Sequence, residues 1–266
     1  MQTCPGEKTD YDARFNGIKR LVGAAAQERL RKAHVCVIGV GGVGSWVVEA
    51  LARSGIGVLT LIDLDEVCVS NVNRQLPALT SEVGKRKVQV MKLRVAGINP
   101  DCAVYPIEEF LTPTNAEWLL SGPYDYLVDA IDTLQSKALL IATARAKKIP
   151  IITVGGAGGR RDPTAVRVCD LAFTSNDRLL QKLRKELRTY HNFPRGELPF
   201  GVDAVYSPEA PAFPHQDGAV CATREEGAAT RLDCEGGYGT ASFVTGSFGF
   251  VAAAHVVKKL TEQRAE

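Results

Sequence analysis

The 266-residue sequence lacks an excess of charge of either sign, and it lacks any CxxC motif. Its 32 lysines and arginines against 30 aspartates and glutamates leave a formal net charge of +2, which excludes a general affinity for polyanions. Any contact with nucleic acid must therefore come from a local patch of cations. The seven cysteines are odd in number and scattered, so the sequence predicts neither a zinc knuckle nor a disulfide framework. This cysteine usage is typical of a reduced, cytoplasmic protein.

Long hydrophobic runs are also lacking. The N-terminal stretch MQTCPGEKTDYDARF is polar and has no apolar centre, which argues against a secretory signal. Residues 236–257 carry no Asp, Glu, Lys or Arg, but the segment is rich in Gly, Ser and Thr and contains no leucine. This composition favours a buried helix over a transmembrane one, so we predict a soluble protein without a membrane partner.

What the sequence does contain, near its start, is a strand, a glycine turn and a helix. The stretch HVCVIGVGGVGSW (34–46) passes from a hydrophobic run through the turn into a helical pattern, and a second buried strand follows at 57–63. Such a βαβ unit requires a parallel sheet, and its glycine turn seats phosphates on a helix N-terminus. We therefore expect a nucleotide site at this turn. Its four glycines are Gly39, Gly41, Gly42 and Gly44.

Strand and helix patterns alternate up to about residue 155. They predict an α/β fold with a doubly wound, mainly parallel Rossmann-like sheet, followed by an irregular/β segment and a final helix. The predicted strands are 34–38, 57–63, 102–107, 125–129, 149–154 and AVRVCDL (165–171). The predicted helices are 19–31, 43–54, 84–97, 114–120, 133–147, 176–189 and 240–262, and residues 191–239 are predicted to be irregular.

The kind of nucleotide is indicated by the charges that follow the turn. Asp63 ends the second strand, where an acid hydrogen-bonds the ribose of either NAD or ATP. Asn71 and Arg74 follow in the next loop, and the cluster GKRK (84–87) begins the next helix. A single Lys or Arg is usually a solvated surface charge. However, a triphosphate carries about twice the charge of a diphosphate, and its pyrophosphate leaving group needs cations where charge develops. The ordered set therefore favours ATP.

A further acid lies at the carboxyl edge of the fourth strand. Asp132 closes the segment YLVDAID, and ligands of open α/β sheets bind at that edge. A carboxylate in this position could hold Mg²⁺ beside the phosphates.

The segments GVGGVGS, LTLIDLDEV, SNVNRQ, GKRKV and DAIDTLQSK resemble, in order and spacing, the ubiquitin-activating-enzyme-like (ThiF-type) adenylyltransferases. Those enzymes activate a carboxylate as an acyl adenylate and release pyrophosphate. The resemblance implies that Gly41 approaches the phosphates, Asp63 the ribose and Asp132 a magnesium ion. It assigns the remaining phosphate contacts to Asn71 and to two residues that also act in catalysis, Arg74 and Lys87.

Over nearly the whole chain, the sequence is similar to one branch of that superfamily, the tRNA threonylcarbamoyladenosine dehydratases. The strongest signal is GGAGG-x-x-DPT joined to a late DC-x-x-G-[FY]-G. The resemblance implies ATP-dependent cyclisation of the threonylcarbamoyl group on the adenosine beside the tRNA anticodon. It also implies a homodimer and one adenylation domain over 1–266, with a nucleotide-binding core (33–155) and a substrate and dimer region (156–266). It suggests Na⁺ or K⁺ at the loop GGAGGRRDPT and allows a cysteine-desulfurase or sulfur-acceptor partner.

Departures from the wider superfamily bear on three alternatives. Sulfur-carrier-activating relatives often have an arginine in RYNRQ that reaches the partner subunit's site; here RFNGIKRL has Gly17 at that point, with Arg14 or Arg20 as candidate replacements. The missing CxxC motifs also disfavour adenylation of a ubiquitin-fold sulfur carrier. The intact set of site residues disfavours an inactive nucleotide-binding subunit, and the cation cluster disfavours an NAD-dependent oxidoreductase.

Cys234 lies in a glycine-rich loop (223–239) before the last helix. A thiolate there could capture an acyl adenylate as a thioester, and the opposing interpretation is a small residue that only shapes the loop. Four other cysteines fall in strand or strand-edge patterns and are predicted to be core residues: Cys36, Cys68, Cys102 and Cys169.

The helix NDRLLQKLRKELRTYH carries leucines on one face and cations around the rest. Most such helices are merely soluble on their outer face. If the substrate is tRNA, however, these cations and two arginines of the glycine loop form the best available phosphate-binding patch. The candidates are Arg160, Arg161, Lys182, Arg184, Lys185 and Arg188.

Overall fold

The computed structural model describes residues 10–215, 217–223 and 238–262. Its strands are β1 (His34–Ile38), β2 (Val58–Ile62), β3 (Ala103–Ile107), β4 (Tyr126–Asp129), β5 (Ile151–Val154), β6 (Arg167–Asp170), β7 (Asp203–Tyr206), β8 (Phe213–Pro214) and β9 (Val220–Cys221). Its α-helices are α1 (Tyr11–Val22), α2 (Ala24–Lys32), α3 (Gly44–Arg53), α4 (Lys87–Ile98), α5 (Ala116–Leu119), α6 (Leu134–Ala146), α7 (Arg178–Tyr190) and α8 (Ser242–Thr261). Short 3₁₀ helices cover Val69–Asn71, Thr80–Glu82, Pro163–Ala165 and Leu171–Phe173.

Seven strands form one sheet in the order β3-β2-β1-β4-β5-β7-β6, and β8 pairs with β9 separately. Within the seven-stranded sheet, only the pair β6 and β7 is antiparallel. The predicted α/β, mainly parallel Rossmann-like sheet is thus confirmed. The chain leaves β1 in one direction to β2 and β3 and returns to β4 on its other side. Ligands of open α/β sheets bind at such a switch point, beyond the carboxyl ends of the strands.

Helices cover both faces of the sheet, which explains why the central strands are continuously apolar. Alternate residues of β1 enter different cores: Val35 and Val37 pack with α3, α4 and α8, while Cys36 and Ile38 pack with α5, α6 and α7. The last helix lies against α3, and the absent side chain at Gly249 permits this contact, since a Cβ there would lie 2.6 Å from that of Trp46. Within the described part of the chain, no helix combines the length and the apolar composition that a bilayer crossing needs.

The helix predicted over 19–31 is wrong in its bounds. The structure has two helices that meet at Gly23, whose φ of +90° breaks the helical path. Tyr11 and Phe15 supply the buried aromatic rings of the first helix, while Leu21 is 80% exposed and Ala25 is exposed too.

The structure also corrects the region predicted to be irregular. Residues 203–206 form β7, which is inserted between β5 and β6 and is parallel to β5. The strand is only four residues long and is bordered by prolines and glycines, so local periodicity gives little signal for it. Its parallel partner, β5, lies about fifty residues earlier in the sequence.

The cysteine predictions are confirmed for Cys36 and Cys102, which are buried, and are wrong for Cys68, which is exposed in the loop after β2. Cys169 is half-buried. Burial raises the pKa of Cys102 to about 12 and raises the pKa of Cys36 as well, so neither thiol is a ready nucleophile. Cys234 lies outside the described residues.

Candidate active site

A cavity of about 1410 Å³ opens at the carboxyl ends of β1, β2, β4 and β5. Most of the residues predicted to bind nucleotide line it. They are Gly39, Gly41, Gly42, Asp63, Asn71, Arg74, Lys87 and Asp132. Parallel strands bring these side chains together although they are spread over more than ninety residues of sequence. Gly44 lies behind the lining instead, at the start of α3.

The glycines of the turn serve different purposes. Gly39 has φ of +87°, and a Cβ there would lie 2.7 Å from the carbonyl oxygen of Ala130. Gly44 lets α3 begin directly against the turn, because a Cβ there would clash with the carbonyl oxygen of Gly39. At Gly41 a Cβ would meet only the Nε2 atom of Gln75, at 3.8 Å. Packing therefore explains Gly39 and Gly44, whereas Gly41 leaves the backbone open to close approach by a ligand.

Asp63 fastens the turn to the end of β2. Its Oδ2 accepts the backbone N–H of Val40 at 2.6 Å, and its Oδ1 accepts that of Asp65 at 2.8 Å. Burial raises the pKa of Asp63, while the nearby Lys87 cation and the two amide donors oppose that shift. Each carboxylate oxygen retains acceptor capacity, so this side chain can hold the turn and accept hydrogen bonds from a ribose.

Lys87 is the first residue of α4, and it is only 5% exposed. Its Nζ lies 2.8 Å from Oδ2 of Asp65, a carboxylate that is half-exposed. Its neighbours in the GKRK cluster do not line the cavity: Lys85 pairs with Glu82 at 3.0 Å, and Arg86 lies 3.5 Å from the carboxylates of Glu66 and Glu108. The cluster thus supplies one cavity cation rather than three.

Arg74 lies in a loop that is anchored from two sides. Its backbone carbonyl accepts hydrogen bonds from Nε1 of Trp46 at 3.1 Å and from Oγ1 of Thr245 at 3.0 Å. Its Nη1 donates to the carbonyl of Ser70 at 2.6 Å. In the same loop, Oδ1 of Asn71 accepts the backbone N–H of Cys68 at 3.1 Å, so the Nδ2 amino group is the part of Asn71 left for a ligand.

One buried network escaped the sequence analysis. Lys137 and Asp129 are both fully buried, with Nζ 2.9 Å from Oδ2, and Oγ1 of Thr153 donates to the same carboxylate at 2.6 Å. Lys137 also donates to the carbonyl of Ile131 at 2.9 Å, immediately before Asp132. The network therefore fixes the loop that carries the predicted magnesium ligand. The one signal for it was an acid at a strand end followed by a lysine in the next helix.

A metal ion at this site would need ligands besides those that the protein supplies. Asp132 is exposed and lines the cavity. Within residues 10–215, 217–223 and 238–262, no group of three or more His, Cys, Asp or Glu side chains could hold a metal ion. One carboxylate fits the chemistry of Mg²⁺, which usually takes one or two carboxylates and completes its shell with water and substrate phosphates.

The far end of the cavity is formed by the glycine loop after β5 and by α7. Asp177 joins the two, since its Oδ1 accepts the N–H of Leu180 at 2.9 Å and its Oδ2 accepts that of Gly156 at 2.8 Å. Leu179, although predicted on the apolar face, lines the cavity together with Tyr238. This end offers apolar and aromatic surface, in contrast to the charged end beside Lys87.

The candidate tRNA-binding cations do not form one patch. Arg160 is 5% exposed and donates to the carbonyl of Asn176 at 2.6 Å, so it does not lie on the surface as expected. Arg161 is exposed but lies apart, in the loop held by Glu209. Four of the five cations of α7 line a separate cavity of about 740 Å³, and Arg195 joins them there. They are Lys182, Arg184, Lys185 and Arg188.

Comparison with known proteins is consistent with this geometry. The model of the ThiF family matches residues 15–266. The tRNA threonylcarbamoyladenosine dehydratases of Haemophilus influenzae and Escherichia coli are each 48% identical over 256 residues, covering 96% and 95% of this chain and the same shares of the relatives.

Solved structures agree with the sequence relatives. The structure of E. coli tRNA N6-threonylcarbamoyladenosine dehydratase in complex with ATP is 44% identical, with a TM-score of 0.84, and the match covers 95% of this chain and 96% of that one. The structure in complex with AMP has a TM-score of 0.85 and covers 97% of both chains. From its full-length match in sequence and fold, the chain belongs to the ThiF family and, within it, to the tRNA threonylcarbamoyladenosine dehydratases.

Proposed function

We propose that this chain uses ATP to dehydrate and so cyclise threonylcarbamoyladenosine beside the anticodon of tRNA, by adenylating the carboxylate and releasing pyrophosphate. The observation that carries the proposal is the assembly of Asp63, Arg74, Lys87 and Asp132 around one glycine turn in a single cavity. Asp63 accepts hydrogen bonds from the ribose. Arg74 and Lys87 hold the phosphates and neutralise the charge that develops on the leaving pyrophosphate.

Smaller groups complete the nucleotide site. The N–H groups of the turn and the start of α3 face the phosphates at Gly41, and the amino group of Asn71 donates to them. Asp132 would hold Mg²⁺, which would supply further positive charge beside the phosphates. The resemblance to the family extends the proposal to a monovalent cation, Na⁺ or K⁺, at the loop 155–164.

A carboxylate does not cyclise by itself because its oxygen is a poor leaving group, and adenylation makes AMP the leaving group instead. A carboxylate oxygen attacks the α-phosphorus of ATP, and the bond to pyrophosphate breaks. An atom of the neighbouring carbamoyl group then attacks the activated carbonyl carbon, the bond to AMP breaks, and a carbamoyl N–H proton is lost to solvent, so AMP carries away the oxygen that dehydration removes. The carbamoyl group is already tethered beside the carbonyl, and intramolecular attack can reach effective molarities of about 10⁵ M or more.

The nucleotide assignment predicts a selective stabilisation. We expect ATP with magnesium to raise the melting temperature by about 5 °C when present roughly 100-fold above its Kd, because a ligand that binds only the native state stabilises it. NAD and NADP at equal concentration should leave the melting temperature unchanged. Differential scanning fluorimetry measures both shifts. Equal stabilisation by NAD contradicts the ATP assignment.

The direct test of function is ATP–pyrophosphate exchange with radiolabelled pyrophosphate. Exchange should depend on tRNA that carries threonylcarbamoyladenosine, and the cyclic nucleoside should appear in the digested product. A small ubiquitin-fold sulfur carrier is the control substrate. Exchange that depends on the carrier and is absent with modified tRNA refutes the proposal.

The role of Cys234 separates two routes after adenylation. We favour direct cyclisation, in which Cys234 shapes the loop over the substrate and the thiol carries no acyl group. Cys234→Ala and Cys234→Ser should then keep more than about a tenth of the single-turnover rate, since loss of an obligatory nucleophile costs far more. Loss of product in both variants, with adenylate accumulating, establishes the thioester route instead.

The proposal also covers the domain organisation, the partners and the cellular location of the protein. Residues 1–266 act as one adenylation domain, in which 33–155 hold the nucleotide and 156–266 serve the substrate and a second copy of the chain. Arg14 and Arg20 are both exposed on the first helix and remain the two candidates to reach a partner subunit's site. A tRNA substrate places the enzyme in the cytoplasm, with a cysteine-desulfurase or sulfur-acceptor system as a further partner.

A further inference from the structure

The second concave surface of the molecule, here called the basic groove, is formed by the outer face of α7 and by the loop that contains Arg195 and Gly196. Cations line most of it, and its other side chains are the neutral polar Gln181 and Thr189. Among the residues that the structure describes, no carboxylate and no apolar side chain lines it. For a chain with a formal net charge of +2, this is a strong local concentration of positive charge.

The two arginines at the floor of the groove are held in place before any ligand arrives. Arg188 donates from Nε to the carbonyl of Pro194 at 3.1 Å and from Nη2 to that of Gly196 at 3.1 Å, and its guanidinium lies 5.0 Å from the ring of Phe200. Arg184 donates to Oγ1 of Thr174. Both are half-buried, so their side-chain entropy is already reduced.

Within the described part of the chain, none of the groove's cations forms a close ion pair with a carboxylate, although the charge of Asp177 attracts Arg184 from further away. Partial burial and repulsion from the neighbouring Arg188 both lower the pKa of Arg184, and Asp177 opposes that shift. A helix dipole favours cations in the last turn of α7, but it does not explain why Arg195, from another segment, joins them. A bound anion would relieve this repulsion.

The basic groove and the cavity are both lined by residues of α7. Leu179 lines the cavity, while Lys182 and Arg188 lie three and nine residues further along the same helix. At 1.5 Å per residue these cations lie about 5 to 14 Å along the helix axis from the cavity wall. This distance corresponds to a few nucleotides of one strand.

We propose that the basic groove binds the phosphate backbone of the RNA whose modified nucleotide enters the cavity, an inference that rests on the proposed function. Direct contacts to phosphates place an RNA without reading its sequence, and α7 serves as the fixed spacer between backbone and reacting base. An acidic protein partner fits less well. Stable protein interfaces have an apolar or aromatic centre, which the lining of this groove lacks.

The test uses full-length protein and fluorescently labelled tRNA carrying threonylcarbamoyladenosine, with Kd measured by anisotropy over a range of KCl concentrations. Each phosphate contact contributes about 0.9 to the slope of log Kd against log salt, so one contact is worth about fivefold near 0.15 M salt. Lys182→Ala should therefore weaken binding about fivefold, and Lys182→Ala/Lys185→Ala should weaken it about 30-fold with a slope lower by about 1.8. Lys92→Ala, which removes an exposed lysine from α4, is the matched control and should bind as wild type does.

Kinetics and stability complete the test. In the groove variants KM for tRNA should rise while kcat stays unchanged, because a remote phosphate contact binds substrate and transition state equally. The ATP-induced rise in melting temperature should stay at the wild-type value, which shows an intact fold. If the double variant keeps the wild-type Kd and salt slope, the proposal that the basic groove binds RNA is wrong, whatever the activity of the variant. If that variant loses RNA binding but the wild-type enzyme yields no cyclic nucleoside, the groove is supported as an RNA-binding surface and the proposed function is wrong.

Discussion

Lys87→Met should lower the rate of pyrophosphate release about 10²–10³-fold while the protein stays folded, because one preorganised cation at developing charge is worth about 2–4 kcal/mol. The side chain is 5% exposed, so methionine retains its packing while it removes the charge. Two acids lose a neighbouring cation: Asp65 is half-exposed and can be solvated by water, and the buried Asp63 keeps its two backbone N–H donors, so the protein should stay folded. Arg74→Ala should reduce the rate by a similar factor. Single-turnover assays with modified tRNA measure both effects.

Lys85 provides the matched control for Lys87. It lies two residues away in the same GKRK cluster, pairs with Glu82 at 3.0 Å and does not line the cavity. Lys85→Met should therefore keep wild-type turnover. Wild-type turnover in Lys87→Met as well would make the buried lysine a structural residue and remove the main support for its role in phosphate binding.

The second large effect is on stability. Lys137→Met should lower the free energy of unfolding by about 3–5 kcal/mol, because it leaves the charge of Asp129 buried without its partner. Lys147→Met is the matched control. Nζ of Lys147 lies 2.8 Å from Oε2 of Glu117, nearly the same distance as in the buried pair, but the side chain of Glu117 is 80% exposed. Its loss should cost at most about 1 kcal/mol. Urea unfolding of both variants measures the difference.

The pH dependence of the stability loss in Lys137→Met shows whether an unpaired buried charge causes it. Burial raises the pKa of Asp129 above its unfolded value, and removal of the Lys137 charge raises it further. A carboxyl whose pKa is raised in the folded state loses stability as pH rises above its unfolded pKa of about 3.9. The deficit of Lys137→Met should therefore be large at neutral pH and should shrink as pH falls toward 4. A deficit that stays constant with pH would point to lost packing instead of an uncompensated charge.

Most of the nucleotide end of the cavity was predictable from local sequence. The glycine turn, Asp63, Asn71, Arg74 and Asp132 each follow or end a strand of clear pattern. Parallel strands place all their carboxyl ends at one edge of a sheet, so residues at strand ends must converge there without any knowledge of side-chain contacts. The ATP assignment followed from charge counting along that edge.

Other features depend on contacts that no local pattern records. The cluster GKRK has three cations that look alike in the sequence. Only the tertiary structure buries Lys87 beside Asp65, while Lys85 and Arg86 pair with acids outside the cavity. The glycine loop has two adjacent arginines, of which Arg160 is buried and Arg161 exposed.

The sequence alone determined most of the elements up to about residue 155 and which strand ends carry chemistry, because hydrophobic period and turn residues act over a few neighbouring positions. Only the tertiary structure decided where β7 inserts, that Lys137 neutralises Asp129, and that Arg195 joins the cations of α7 in one groove. In each of these cases the energy comes from groups that are distant in sequence, since the desolvation of a charge or the completion of a strand edge depends on what packs against it.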